Sequence, residues 1–331
     1  MRAPLAVLAG PTAVGKTAIS LPVAEALQAE VLNVDSRQLY RYMDIGTAKP
    51  TWAQRARIPH HLLDLLAPDE RSTAAQFMVA ARQAVAAVQA RRKRVLIVAG
   101  SGLYLQALLY GLMPVPAAHE PLREVLHRRA NADGTQALYR WLQRLDPDAA
   151  AHYHPHDRIR LVRALEVILL TGEPFSVHRR RHQAQGPLYP YVAVGLTRER
   201  ADLHARIDAR TEAMLAAGWV AEVEALRARG YTRDCTALNS LGYRELLAYV
   251  EGQSAWPDTV QAIVRATRLF AKRQLTWFRK LPHLSWLNLS ELDEQTAVSR
   301  ILERLQGGGG QQGTTIPYHH THDRSDSAGC L

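Results

Sequence analysis

Residues 10–17 read Gly10, Pro11, Thr12, Ala13, Val14, Gly15, Lys16, Thr17, a complete GxxxxGK[ST] loop. This string is demanding about its surroundings. Its backbone N–H groups can wrap a phosphate only if a buried strand delivers the chain to the loop and a helix starts where it ends. The flanks supply both. Residues 4–9 (PLAVLA) read as a short buried strand, and Lys16 to about Gln28 as a helix. Gly10 to Thr17 are therefore expected to form a diphosphate cradle. Lys16 would neutralise terminal phosphate charge and Thr17 would offer its hydroxyl to Mg²⁺.

The pattern continues. Residues 30–35 (EVLNVD) and 94–99 (RVLIVA) are further short apolar runs, with a helical segment from about Thr73 to Ala90 between them. Strands alternating with helices predict an α/β fold, a parallel sheet of the P-loop NTPase kind. After Met113 the character changes. Residues 114–121 (PVPAAHEP) hold three prolines, and the stretch to Gly186 is mostly helical and rich in Arg and His. Residues 191–196 (YVAVGL) restore a strand, and the pattern is then helical to about Arg304. The expected organisation is a core of residues 1–115 and 190–306, a helical insert at 116–189, and a polar, glycine-rich disordered tail at 307–331.

A phosphate cradle does not itself see a base or a sugar. An ATPase of this class carries an acid on a second strand to hold Mg²⁺, yet here the run 94–99 leads into Gly100 and Ser101. The carboxylate ends the run 30–35 instead, as Asp35. In a parallel sheet the strand C-termini line the ligand crevice, so Asp35 and Ser101 should share a rim with the loop. There Asp35 is a poor phosphate ligand but a sensible general base; a helix cap or a Mg²⁺-supporting role is the plainer alternative. Ser101 could present its hydroxyl to the crevice or cap the helix GLYLQALL. The displaced acid favours a kinase or another transferase over a motor ATPase.

The formal net charge is +10, which favours a polyanionic partner. Residues 264–280 (VRATRLFAKRQLTWFRK) hold six Arg or Lys and no acid. Arg265, Arg268, Lys272 and Arg279 fall near one helical face, with Phe270 and Trp277 on a face expected to be core. The insert adds Arg123, Arg158, Arg160, Arg163 and Arg179 to Arg181. No run of about 18 apolar residues suggests a membrane span, and the two cysteines, Cys235 and Cys330, make no CxxC pair. A cytoplasmic monomer is the expectation. His60 and His61 fit no zinc pattern and are either structural or RNA-facing; HHTHD in the tail (His319 to Asp323) forms no second cluster.

In order along the chain, GPTAVGKT, DSRQ with YRYMDIGTAKP, PHHLLD (59–64), GSGLYLQAL (100–108), RIRLVRALEV (158–167), SLGYRE (240–245) and KRQLTWFRK (272–280) resemble the bacterial tRNA dimethylallyltransferases, also called tRNA isopentenyltransferases. The resemblance runs to about Arg304. One departure is Ser101, where the family usually has Thr in GTGLY; the hydroxyl is kept and a methyl lost.

The resemblance implies transfer of the dimethylallyl group of dimethylallyl diphosphate to N6 of the tRNA adenosine immediately 3′ of the anticodon, with diphosphate released and Mg²⁺ as cofactor. Asp35 would take the N6 proton, Ser101 would hydrogen-bond the leaving oxygen, and Lys16 and Thr17 would stabilise the diphosphate. A further cation should close over the leaving group. Arg206 and Arg210 stand four apart in LHARIDARTEAML and share a face, so either is a candidate, with a solvated face as the alternative. The base must leave its stack, and Asp35, Ser36, Arg37 and Gln38 would meet it, the Gln38 amide suiting an adenine edge.

The resemblance further implies tRNA contacts at Ser101 and Arg123. It adds the runs Ile159, Arg160, Leu161, Val162, Arg163 and Ser240, Leu241, Gly242, Tyr243, Arg244, Glu245. The last run is Lys272, Arg273, Gln274, Leu275, Thr276, Trp277, Phe278, Arg279. Two basic surfaces suit a clamp on an anticodon stem–loop. A small-molecule kinase would explain the cradle and Asp35 but not the basic segments. An adenylate isopentenyltransferase would use similar chemistry on a free nucleotide. A non-catalytic RNA-binding module would leave the cradle and the carboxylate unexplained.

Overall fold

The computed structural model describes residues 3–307; the expectations for the tail, HHTHD and Cys330 lie outside them. The chain divides into two compact units, residues 3–111 with 188–307, and residues 112–187.

The first unit opens with β1 (Leu5–Ala9), α1 (Lys16–Leu27), β2 (Ala29–Val34), α2 (Trp52–Arg57), β3 (His60–His61), α3 (Ala74–Ala90), β4 (Arg94–Ala99) and α4 (Gly102–Tyr110). The second is all helical: α5 (Glu120–Asp133), α6 (Thr135–Leu145), α7 (Pro147–Ala150), α8 (Arg158–Thr171) and α9 (Phe175–Ala184). The chain then returns to the first with β5 (Tyr191–Thr197), α10 (Arg200–Ala216), α11 (Trp219–Ala228), α12 (Tyr243–Val250), α13 (Trp256–Phe278), β6 (Leu284–Asn288) and α14 (Glu294–Gly307).

The six strands form one sheet, order β3-β2-β4-β1-β5-β6, and every pairing is parallel. Helices on both faces explain why LAVLA and AEVLNV are buried along their whole length instead of alternating with polar residues. Successive side chains of β1 go to opposite layers. Ala6 and Leu8 join a cluster with residues of α1, α10 and α14, while Leu5, Val7 and Ala9 join one with α3 and α4. Trp219, Val223, Tyr243, Leu246 and Ile263 build a third cluster under Tyr40 and Met43, and the second unit has a core of its own around Leu138, Leu142, Leu161 and Leu165.

Two strands depart from the reading of the sequence. β3 is two residues long, below what any periodicity can reveal. β6 lies in a stretch read as helical; its LSWLN pairs with β5 in a register that sets Trp286 opposite Gly195. A Cβ on Gly195 would lie 2.8 Å from the Trp286 ring, so the glycine makes the room.

Because all strands run one way, their C-terminal ends deliver the loop at Gly10, then Asp35, Gly100, Ser101 and Arg198 to one rim of the sheet. Among the described residues no helix is long and apolar enough to cross a membrane.

Candidate active site

The cradle starts where Gly10 N–H donates to Ala99 O at 3.3 Å. A Cβ there would meet Leu196 O at 2.8 Å, so only glycine fits between β4 and β5. Gly15 has φ 109°, the left-handed conformation that turns the chain into α1. Lys16 Nζ folds back onto the loop, donating to Gly10 O and Pro11 O, each at 2.8 Å. Two arginines flank the loop from outside. Arg206 Nε donates to Ala13 O at 3.2 Å. Arg198 Nε donates to Val14 O at 2.9 Å while its Nη1 holds Asp202 at 2.9 Å and Leu289 O at 3.1 Å. The sequence reading missed Arg198. The signal was available, since it follows a strand directly, as Asp35 does.

Asp35 is oriented by its own turn: Oδ1 accepts Arg37 N–H at 2.8 Å. Its Oδ2 sits 2.6 Å from where a Gly100 side chain would begin, so Gly100 gives the carboxylate its space. Gly100 N–H and Ser101 N–H both donate to Val34 O at 3.0 Å, drawing the β4 end against the β2 end. Ser101 stands at the N-cap of α4, yet its side chain makes no cap bond, so the hydroxyl is not consumed by the helix.

Charge ties Lys16, Asp35 and Arg210 together. Burial pulls the Lys16 ammonium down to about 7; the Asp35 carboxylate raises it and the Arg210 guanidinium lowers it further. Burial also pulls Arg210 down, with Asp35 opposing. Arg210 is thus coupled in charge to Lys16 and Asp35, whereas Arg206, one turn earlier on α10, donates to the loop backbone.

A pH dependence follows. Above about 7 the empty site holds mostly neutral Lys16, and an incoming diphosphate must reprotonate it. Affinity for inorganic diphosphate is expected to fall by up to about tenfold per pH unit above that point. A Lys16→Arg variant, which does not titrate there, should give a flatter profile. Stability moves the other way: the folded value lies below the ordinary 10.5, so the empty protein gains stability as pH rises from about 7 towards 10.5. Parallel profiles for the two proteins would exclude Lys16 as the titrating group.

The IPP transferase family model matches residues 38–281. A tRNA dimethylallyltransferase of Trichlorobacter lovleyi is 45% identical over 291 residues, covering 88% of this chain and 95% of that one. The chain belongs to the tRNA dimethylallyltransferase (IPP transferase) family. Among solved structures, the full-length tRNA isopentenylpyrophosphate transferase of Bacillus halodurans superposes with TM-score 0.71 at 35% identity, covering 93% of this chain and 97% of its own. A eukaryotic dimethylallyltransferase captured acting on tRNA gives TM-score 0.79 at 25% identity, covering 92% and 79%.

Several contacts carried over from the tRNA dimethylallyltransferases need correction. Gln38 Nε2 donates to Thr47 O and Ala48 O, each at 3.1 Å, so both amide hydrogens brace its own loop and bidentate pairing with adenine is not available. Leu161, Val162, Ser240, Gly242, Tyr243, Gln274 and Phe278 are buried within the protein and present no side chain to an RNA outside it. A run of consecutive helical residues covers every side of the helix, whereas only one stripe faces out. The outward ones are Ile159, Arg160, Arg244, Lys272 and Arg279. Arg123 and Arg163 are turned onto the buried Glu166, at 2.9 and 2.6 Å. Arg268 pairs with Asp208 at 2.5 Å, so the exposed basic residues here are Arg265 and Lys272 on α13 and Arg279 just after it.

These residues border an open groove of about 1220 Å³ between α10 and α13, lined also by Arg200 and His204. It does not contain Lys16, Asp35 or Ser101.

His60 and His61 each have a partner within the protein. His60 Nδ1 lies 2.7 Å from Ile58 O, and His61 Nε2 lies 2.6 Å from Glu30, which Arg91 also holds. The loop after Gln38 is fastened by a residue the sequence did not mark. Glu222 accepts the N–H groups of Asp44 (2.8 Å), Ile45 (2.8 Å) and Gly46 (3.2 Å) and the hydroxyl of Tyr243 (2.6 Å). Beside it Trp219 fills the space where side chains on Gly46 and Gly242 would be.

Proposed function

We propose that this protein transfers the dimethylallyl group of dimethylallyl diphosphate to N6 of adenosine 37 of tRNA and releases diphosphate. The observation that carries this is the oriented Asp35 carboxylate, its Oδ2 beside a cradle whose neighbouring strand brings a hydroxyl, Ser101, instead of a second acid.

N6 of adenine is a weak nucleophile because its lone pair is delocalised into the ring. Attack on C1 of the prenyl group forms the N–C bond as the C–O bond to diphosphate breaks. Asp35 takes the N6 proton, which turns a poor cationic product into a neutral amine. The electrons of the broken bond go to diphosphate, held by the loop N–H groups of Ala13 and Gly15 to Thr17, the Lys16 ammonium and Arg210. Ser101 donates to the departing oxygen. Ser36 and Arg37 border the extruded base, and Gln38 keeps their loop in place.

Mg²⁺ fits as a companion of the diphosphate. Thr17 offers a hydroxyl at the start of α1, and the described residues form no cluster of three or more His, Cys, Asp or Glu. One or two protein donors with phosphate oxygens and water is the usual Mg²⁺ pattern. When bound it supplies charge neutralisation on the leaving group.

The deciding assay uses labelled dimethylallyl diphosphate with Mg²⁺ and three acceptors: an anticodon stem–loop with adenine at position 37, the same loop with guanine there, and free AMP or ATP. Label on the adenine loop alone supports the reading. Label on free nucleotide would favour an adenylate isopentenyltransferase, and no label would return the case to a kinase.

RNA phosphates are expected on the exposed face of α13 and the residue that follows it. Replacing Arg265, Lys272 and Arg279 together by Ala should weaken stem–loop binding and flatten its log–log salt dependence by about one unit per lost phosphate contact. An unchanged slope places those contacts elsewhere.

A further inference from the structure

Gln274 lies in the run carried over as an RNA contact, but it points inward. It is 7% exposed and sits on the face of α13 that packs against the rim of the sheet. Its Oε1 accepts the N–H of Thr12 at 2.8 Å and its Nε2 donates to Gly100 O at 2.7 Å. One amide therefore joins the phosphate loop after β1 to the turn after β4. The amide carries a donor and an acceptor on one planar group and so satisfies a backbone donor and a backbone acceptor at once. A carboxylate would match Thr12 and oppose Gly100 O, and an apolar side chain would leave both buried groups unmet.

Three residues further along α13, the ring of Trp277 fills the place a Gly102 side chain would take. One face of one helix thus holds both neighbours of Ser101: Gly100 through the amide of Gln274, and Gly102 through the Trp277 ring. Gly100 is also the residue against which Asp35 Oδ2 lies. The distance from cradle to hydroxyl to carboxylate is set at this point.

We infer that Gln274 is a positioning residue for the transfer step, fixing the diphosphate loop relative to Ser101 and Asp35, and not a contact to tRNA. This rests on the transfer reaction proposed above. Reaction of N6 with C1 needs the leaving group and the base held to within about an ångström, and such misplacement is commonly worth about a hundredfold in rate. With Thr12 N–H occupied by Gln274 and Val14 N–H turned onto Pro11 O at 3.5 Å, the loop amides left for the diphosphate are those of Ala13 and Gly15 to Thr17.

The test uses the full-length protein with Gln274→Met, which keeps length and removes both bonds, and Gln274→Glu, which keeps the acceptor for Thr12. The readouts are affinity for inorganic diphosphate, affinity for the adenine-37 stem–loop without prenyl donor, and kcat and KM for dimethylallyl diphosphate. The Met variant should lose about ten- to a hundredfold in kcat/KM, with weaker diphosphate binding, while stem–loop affinity stays within about twofold. The Glu variant should retain more diphosphate affinity than Met and still lose kcat. If stem–loop affinity falls while diphosphate affinity and kcat hold, Gln274 is an RNA contact and the inference fails. If both affinities fall in step with thermal stability, its role is general packing and the inference also fails. Should Gln274→Met not fold, the same split read on Gln274→Glu decides. A wild-type protein that transfers no label would defeat the transfer reading, whereas the diphosphate affinities would still report the hold on the cradle.

Discussion

Asp35→Asn is expected to lower single-turnover transfer to an adenine-37 stem–loop by about three orders of magnitude, within the range that a positioned general base supplies. The substitution is nearly isosteric. The remaining carbonyl oxygen can still accept Arg37 N–H, so the turn that aims the side chain survives. The amide nitrogen takes the Oδ2 place against Gly100, where no side chain crowds it. What is lost is the capacity to receive a proton. A smaller, separate effect follows from charge: Asp35 raises the basicity of Lys16, and without it the Lys16 cation is less favoured. The fall of diphosphate affinity with pH should therefore begin at a lower pH in the variant, and stem–loop affinity should hardly change. Full transfer by the Asn variant would remove Asp35 as the base.

Glu166→Leu is expected to destabilise the 112–187 unit strongly. Glu166 is 0% exposed. It receives His119 N–H at 2.7 Å, Arg123 through Nε at 2.9 Å and Nη2 at 3.2 Å, and Arg163 Nη1 at 2.6 Å. Burial pushes its carboxyl up, and the hydrogen bonds from Arg123, His119 and Arg163 together outweigh this and hold it below its usual value. Its contribution is therefore present at neutral pH and is lost as pH falls through the depressed value. Removing the carboxylate leaves two guanidinium groups facing each other. The expected cost is about 3 kcal/mol, the low end for a broken buried pair, because both arginines keep about a third of their side chains in solvent. If the unit melts by itself, its Tm should fall by roughly 10–20 °C in a thermal scan. Replacing Arg123 by Leu as well should recover part of the loss. A shift of a degree or two would mean that the three charges do not hold the unit together.

The cradle, Asp35, Ser101 and the strands β1, β2, β4 and β5 were legible because each is a short apolar run that stops on a chemically distinctive residue. Parallel topology then gathers those stops at one rim without any knowledge of contacts. Arg198 obeys the same rule and could have been read. β6 could not, since its five residues sit between helices and make sense only beside Gly195. Charge was the least legible quantity. Arg123 and Arg163 look like RNA ligands in sequence and are spent on one buried carboxylate, because a sequence gives the sign of a charge but not its partner. Gln38 and Gln274 mislead in a related way: an amide suits a base edge and a backbone edge equally, and here backbone wins in both.

Three of the tryptophans lie where a glycine has given up a side chain: Trp219 against Gly46 and Gly242, Trp277 against Gly102, and Trp286 against Gly195. In each case an indole from the C-terminal part fills volume vacated elsewhere in the chain. These positions are therefore heritable only as sets. An alanine at 46, 102 or 195 forces the facing indole to move or shrink, and loss of the indole relaxes that constraint, whereas Gly242, at φ 84°, stays held to glycine by its backbone. Across the tRNA dimethylallyltransferases a tryptophan at 219, 277 or 286 should be accompanied by a glycine at 46, 102 or 195 respectively, which makes their co-occurrence a record of helix and strand docking readable without any structure.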